Sequence, residues 1–269
     1  MGTAINARMV VKYAVMTKKQ GSVLEENDKR KKNLIQNNKE KVYNGVLSVK
    51  TRSTIKTYTA NMILINSKSR KNGKKNSASF ITLTLPSKQI HQDNEIKRKI
   101  LQPFLAECKR LDNLKYYMWT AETQENGNIH FHIITPTYIK KENLQERWNR
   151  HVDTLGYVSR SSVKNPPSTH IEGIKQTNKA ISYISKYISK GSENRRKVNG
   201  RLWGCDKETE KLKNIKISNE EAENIKEYIE EATKLEINNK YFLIKMIDID
   251  KNKKLRQIII SKLLKLLVN

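Results

Sequence analysis

The sequence is poor in cysteine and has no apolar run long enough to cross a membrane. Its two cysteines, Cys108 and Cys205, are far apart and lack metal-type spacing. We therefore expect a reducing, cytosolic location and no disulfide framework. A membrane-spanning helix needs about 20 consecutive apolar residues, and no stretch of the chain approaches that length. Met9–Met16 is short and is interrupted by Lys12, which argues against a signal peptide. We expect no membrane partner.

The chain is also short of acidic residues relative to basic ones. It contains 53 Lys and Arg against 27 Asp and Glu, which gives a formal net charge of +26. An excess of this size predicts a polyanionic partner, with nucleic acid first and an anionic membrane surface second. Charge alone does not distinguish a protein that cuts a nucleic acid from one that only holds it.

Hydrophobic residues make up 36% of the sequence and concentrate between residues 79 and 205, which is enough for one packed core. We therefore divide the chain into three parts. Residues 1–78 form a basic N-terminal extension with a flexible segment at 17–45 and one helix. Residues 79–205 form the folded domain, and residues 206–269 form a charged, mainly helical C-terminal extension.

Residue periodicity predicts an α+β fold. The predicted strands are Phe80–Leu85, Tyr116–Glu122, Ile129–Thr135, His170–Ile174 and Tyr241–Met246. The predicted helices are Ser53–Ile65, Ile96–Leu111, Glu142–Val152, Lys179–Lys190, Glu220–Leu235 and Leu255–Val268. Within the central part, strands and helices follow in an order that favours a mostly antiparallel sheet with helices packed on it.

Two histidines, His130 and His132, lie two residues apart on a predicted strand. Alternate residues of a strand point to the same face, so both imidazoles can converge on one divalent ion. Glu122 ends the preceding strand, across an Asn126-Gly127 hairpin turn, and its carboxylate can complete the site. Such a set suits Mg²⁺ or Mn²⁺ that polarises a phosphodiester. The alternative is a half-buried histidine pair with an exposed acid beside the turn.

A tandem repeat of four residues, YISKYISK, spans Tyr183–Lys190. On a helix, Tyr183 and Tyr187 stand one turn apart on one face, with Lys186 and Lys190 beside them. A phenol becomes a useful nucleophile when it is deprotonated or activated, and a nearby ammonium favours this. Two tyrosines allow one to hold a 5′-phosphotyrosine while the other attacks the next phosphodiester. The alternative is an amphipathic helix with half-buried tyrosines.

Three segments in this order resemble the motifs of the HUH endonuclease superfamily, in its replication-initiator (Rep) branch. They are Phe80–Leu85 (FITLTL), Ile129–Ile134 (IHFHII) and Tyr183–Lys190 (YISKYISK). The doubled Tyr-x-x-Lys looks most like the two-tyrosine initiators of single-stranded DNA phages and some bacterial plasmids. Gly200–Cys205 (GRLWGC) is similar to sequence that follows the third motif in such proteins.

The resemblance implies a ferredoxin-like (RRM-like) antiparallel sheet core with both histidines on a central strand and Glu122 as the third metal ligand. It implies sequence-specific nicking of single-stranded or hairpin origin DNA, a free 3′-OH that primes rolling-circle replication, and later rejoining of the strand. The sequence has no Gly-x-x-x-x-Gly-Lys-Ser/Thr loop, so we expect a host helicase and polymerase as partners, in the cytoplasm of a bacterial host.

Two other functions fit the same residues. A two-tyrosine HUH transposase shares the order of the motifs, whereas relaxases usually place the tyrosines before the histidines. A non-catalytic protein that binds RNA or single-stranded DNA could use an RRM-like sheet without needing His130 and His132.

Overall fold

The computed structural model describes residues 2–6, 8–13, 47–66, 78–174, 181–185, 196–238 and 242–268. The flexible segment expected at 17–45 lies outside the described residues, and so do Lys186, Tyr187 and Lys190.

The described elements follow one another in a mixed order of strands and helices. They are β1 (Gly2–Ile5), β2 (Met9–Tyr13), α1 (Val49–Asn66), β3 (Ala78–Leu83), α2 (Asp93–Ile96), a π-helical segment (Lys97–Leu101), α3 (Gln102–Asp112), β4 (Met118–Thr123), β5 (Ile129–Thr135), α4 (Lys141–Asp153), β6 (Thr169–Ile174), β7 (Trp203–Cys205), α5 (Lys207–Lys211), β8 (Ile215–Ile217), α6 (Asn219–Asn224), α7 (Lys226–Ala232), β9 (Thr233–Asn238), β10 (Phe242–Ile247) and α8 (Lys253–Val268).

The central strands form one antiparallel sheet in the order β6-β3-β5-β4-β7. From β3 to β6 the chain runs strand, helices, two hairpin strands, helix and strand. This succession, with the first and third strands side by side in the centre, is the ferredoxin-like arrangement. The α+β class with an antiparallel sheet is therefore confirmed, and β5, which carries both histidines, is the middle strand of the five.

Helices cover one face of this central sheet. Ile129, Phe131 and Ile133 of β5 point to that face and belong to a core cluster with Phe104 of α3 and Trp148 of α4. The intervening residues of β5 point to the opposite face, as the strand period requires. The predicted separation of apolar and histidine side chains is thus what the fold shows.

A second antiparallel sheet joins the two ends of the described chain, in the order β8-β1-β2-β10-β9. β1 pairs with β2 and β8, and β2 also pairs with β10. Strands from residues 2–13 and from residues 215–247 therefore build one layer. Of the strands in this second sheet, only β10 was predicted from periodicity. Short strands form by pairing with segments far away in sequence, so their own residues predict them poorly.

The helix predicted over Glu220–Leu235 is wrong only at its C-terminal end, from Thr233 onwards. The capping box of Ser218 and Glu221 starts a short helix, which is followed by α7, and the chain then becomes extended at Thr233. β9 begins there and pairs along β10. Hydrogen bonding to a neighbouring strand has overridden the local helical pattern, so the C-terminal part contains three strands besides its helices.

Helix α1 lies in the core between the two sheets. Nine of its residues are buried, among them Met62, Ile63 and Leu64, and a helix that is apolar on most sides is typical of a protein interior. Its cluster includes Phe80 and Ile134 from the central sheet together with residues of the second sheet. Among the described helices, none combines the length and apolar character needed to span a bilayer.

Candidate functional site

The β4–β5 hairpin brings Glu122 and His130 face to face. These two residues are directly paired in the antiparallel register, and Thr120 pairs with His132 one step further along. Opposite residues of an antiparallel pair share a face. The turn is closed by Gly127, whose φ of +82° is a left-handed conformation that glycine adopts without strain. Local turn chemistry thus sets the register that assembles the site.

The three side chains converge on one point. Oε1 of Glu122 lies 2.8 Å from Nε2 of His130 and 3.2 Å from Nε2 of His132. One potential ligand atom from each residue falls within 4.8 Å of the other two. The side chains are 18%, 11% and 3% exposed for Glu122, His130 and His132. The three side chains are therefore mostly buried, and Glu122 is the most exposed of them.

Electrostatics in this cluster favour an ionised carboxylate. Burial by itself would raise the pKa of Glu122, but hydrogen bonds from His130 and His132 outweigh it and bring the pKa well below its ordinary value. A deprotonated carboxylate beside two imidazole nitrogens is a suitable donor set for a divalent metal ion. The buried His/Glu group could hold such an ion, as the sequence predicted.

The surroundings of the histidines also fit a metal site. Nδ1 of His132 lies 3.1 Å from the Thr82 hydroxyl, which can accept a proton from Nδ1. With a metal ion bound, Nε2 of His132 would then be a ligand instead of a donor to Glu122. Nδ1 of His130 is buried and has no hydrogen-bond partner among the described residues. The Phe80 ring stacks on His132 with a centroid distance of 5.2 Å. Phe80 and Thr82 both belong to the first motif segment, Phe80–Leu85, but the sequence alone assigned neither a role; both lie on the histidine face by strand parity.

Tyr183 lies next to this face. It belongs to a helical turn at residues 181–185, which is anchored by the fully buried Ile184. The Tyr183 ring is 5.5 Å from the ring of Phe80, and Phe80 is the residue that stacks on His132. The structure therefore places Tyr183 one aromatic ring away from the candidate metal ligands.

A carboxylate holds the Tyr183 hydroxyl. Tyr183 donates to Glu172 of β6, with its oxygen 2.8 Å from Oε1 and 3.0 Å from Oε2. In the register of β3 and β6, Glu172 pairs with Phe80 and His170 pairs with Thr82. Glu172 therefore shares the face of the histidines. Glu172 was not among the residues predicted from the sequence, although its position two residues from His170 on a predicted strand was a usable signal.

The chain that follows the tyrosine segment is fastened to the hairpin by Arg196. Its guanidinium donates to both carboxylate oxygens of Asp93 at 2.8 Å, to Oε1 of Gln89 at 2.9 Å and to the Gly127 carbonyl at 2.6 Å. Burial alone would raise the pKa of Asp93, but hydrogen bonds, first from Arg196, lower it. We call Arg196, Asp93, Gln89 and Gly127 the hairpin anchor. Sequence periodicity gave no sign of it.

The hairpin anchor lies in the wall of a cleft of about 600 Å³. The cleft lies at the β4–β5 turn and is lined by residues 88–93, 126–128 and 196–199. Basic side chains of Lys88 and Lys197 line it together with His91. The basic side chains in this cleft at the hairpin turn are consistent with a negatively charged partner.

Part of the chain is similar to a known protein family. Residues 78–192 match the family model described as replication-associated protein ORF2/G2P. The match covers less than half of the chain, and all three motif segments fall inside it. No curated protein and no solved structure matches the chain. The similarity supports a replication initiator of the Rep type.

Proposed function

We propose that this protein is a metal-dependent DNA nickase that starts rolling-circle replication by cutting one strand of an origin and later rejoining it. The observation that carries the proposal is the convergence of Glu122, His130 and His132 on one sheet face, with Tyr183 one ring away. The similarity of residues 78–192 to replication-associated proteins supports replication as its purpose.

The proposed roles follow the chemistry of each side chain. Glu122, His130 and His132 would hold Mg²⁺ or Mn²⁺, which supplies Lewis-acid stabilisation of a phosphoryl oxygen when bound. The Tyr183 oxygen attacks the phosphorus, a tyrosine–phosphorus bond forms, and the bond from phosphorus to the 3′ oxygen breaks to leave a 3′-OH. Because the 5′-phosphotyrosine retains the phosphodiester energy, the strand can be rejoined by the reverse reaction.

The other candidate residues, Lys186, Tyr187 and Lys190, lie outside the described part of the chain, and their proposed roles follow from the sequence pattern. Tyr187, one helical turn beyond Tyr183 if the helix continues, is the second proposed nucleophile. Lys186 and Lys190 would stabilise phenolate and phosphate charge. Alternating use of two tyrosines would let the enzyme close one strand while it holds the next.

The partners follow from charge and from the proposed reaction. Single-stranded or hairpin origin DNA is the substrate, and a net charge of +26 makes its binding strongly salt-dependent. A host helicase and a host polymerase would open and extend the nicked origin, in the cytoplasm of a bacterial host.

The decisive experiment is incubation with origin-like single-stranded DNA and Mn²⁺, followed by a denaturing gel. We expect a covalent protein–DNA adduct that disappears in the Tyr183→Phe, Tyr187→Phe double variant. His130→Ala should lose nicking and keep most of the DNA affinity. His151→Ala is the matched control, because His151 lies on α4 and pairs with Glu107 instead.

Other results would indicate other functions. Cleavage that persists in the double tyrosine variant without an adduct would reject the tyrosine mechanism. Metal-independent binding with no cleavage by the parent would favour a non-catalytic single-strand-binding protein. Preferential cutting of transposon ends over replication origins would favour a two-tyrosine transposase.

A further inference from the structure

The Tyr183 hydroxyl has a proton acceptor already in place. Both carboxylate oxygens of Glu172 lie within 3.0 Å of it, and in the structure the phenol donates to this carboxylate. We propose that Glu172 is the catalytic base that removes the Tyr183 proton during strand cleavage. This inference rests on the proposed nicking function and adds a catalytic residue to it.

The sheet register explains why this carboxylate is available. Glu172 pairs with Phe80 on the neighbouring strand, and Phe80 contacts both the Tyr183 ring and the His132 ring. Across this face, the proposed base Glu172 is followed by the nucleophile Tyr183 and then by the candidate metal ligand His132. The Phe80 ring lies between Tyr183 and His132. β6 is an edge strand of the central sheet, so Glu172 stays exposed and can release a proton to water.

The step balances in atoms and charge. As the Tyr183 oxygen forms its bond to phosphorus, the hydroxyl proton moves to a carboxylate oxygen of Glu172. The bond between phosphorus and the 3′ oxygen breaks, and the leaving 3′ oxygen takes a proton from water. Glu172 then returns its proton to solvent. In rejoining, the direction reverses and protonated Glu172 supplies the proton to the departing tyrosine oxygen.

A carboxylate is a weak base towards a free phenol, and before reaction it keeps the tyrosine protonated. The phenol becomes far more acidic once its oxygen begins to bond to phosphorus, so transfer within the transition state is favourable. Positioned general bases typically accelerate reactions by about 10²–10⁴-fold. An alternative role for Glu172 predicts the opposite change in cleavage rate. If Glu172 only holds Tyr183 away from the DNA, removing Glu172 would make cleavage faster.

The test uses the full chain in a Tyr187→Phe background, so that any adduct forms on Tyr183. Single-turnover adduct formation is measured with Mn²⁺ and saturating single-stranded DNA. Glu172→Gln keeps the size of the side chain and a hydrogen-bond acceptor and loses the base. We expect its rate constant to fall by about 100-fold, with the Kd for DNA nearly unchanged.

Chemical rescue separates a base from a merely structural group. Glu172→Ala leaves an exposed gap, and added formate should restore a concentration-dependent part of its rate. Glu172→Asp should retain more activity than Glu172→Gln because it keeps a carboxylate. His170→Gln is the matched control: His170 lies on the same strand and face, and its variant should nick at the parental rate.

Each contrary result has a definite meaning. A Glu172→Gln rate equal to the parent, a faster rate, or no rescue by formate overturns the role of Glu172 while the nicking function stands. An adduct in the parent that vanishes in Tyr187→Phe shows that Tyr183 does not attack, which also overturns it. A parent that forms no adduct refutes the proposed function and, with it, this inference.

Discussion

Replacing Arg196 by methionine should lower the free energy of unfolding by about 2 kcal/mol. Arg196 is the centre of the hairpin anchor, which links the chain after the tyrosine segment to the β4–β5 hairpin. The variant removes the guanidinium and keeps most of the apolar stem, so the loss reports on hydrogen bonds and charge.

The magnitude follows from how exposed each partner is. Losing one member of a fully buried ion pair costs about 3–5 kcal/mol, while an exposed pair is worth about 0–1 kcal/mol. Here the Asp93 side chain is 2% exposed and that of Arg196 is 39% exposed, so solvent screens part of the interaction. Asp93 also keeps its bonds from Gln89 and the Asn199 amide, which places the expected loss between the two limits.

Urea unfolding followed by circular dichroism measures this loss. Arg201→Met is the matched control, because Arg201 is exposed and its variant removes the same charge; its effect should stay within about 0.5 kcal/mol. A loss below about 0.5 kcal/mol for Arg196→Met would show that the anchor is only a surface pair.

The stability lost in Arg196→Met should also depend on pH. The folded-state pKa of Asp93 is lowered from its ordinary value of 3.8, against burial, by hydrogen bonds that include those from Arg196. The stabilisation that ionised Asp93 provides is therefore complete above its ordinary pKa of 3.8. It disappears as the pH falls through the folded-state pKa of Asp93. Because the unfolded state is the same in both proteins, the difference in stability between the parent and Arg196→Met is set by the two folded-state pKa values of Asp93. It should be complete near neutral pH and shrink on acidification, as Asp93 becomes protonated. A difference that grows on acidification would contradict this assignment.

Two further substitutions test the face of the sheet and its packing. Thr82→Val should weaken Mn²⁺ binding by about 10–100-fold in calorimetry, because the hydroxyl that orients His132 is lost. Thr120→Val is the control and should bind Mn²⁺ normally, because Thr120 lies opposite the same histidine and its hydroxyl has no partner among the described residues. Equal losses of affinity in the two variants would refute the orienting role of Thr82. Gly204→Ala should destabilise the protein by about 1–3 kcal/mol in thermal unfolding, because the new methyl group would meet the Trp119 indole at 2.7 Å, and an unchanged midpoint would show that the indole can move freely.

What the sequence determined by itself is local. The Asn126-Gly127 turn and the alternation along Ile129–Thr135 predicted the hairpin, and the structure confirms that strand from end to end. Because the hairpin register is set by a short turn, the meeting of Glu122 with His130 and His132 was also predictable. The α+β class followed from the order of such local elements.

Only the tertiary structure decided what lies across long separations in sequence. The joining of β1 and β2 with strands from the C-terminal part, and the extended conformation of Thr233–Asn238, depend on partner strands that periodicity cannot identify. The same holds for Arg196 beside Asp93, which are 103 residues apart. Glu172 and Tyr183 are only 11 residues apart, but they lie on different elements, so their contact also depends on packing. Periodicity tells which face a side chain occupies, but packing selects its neighbours, because burial and hydrogen bonding are optimised over the whole chain at once.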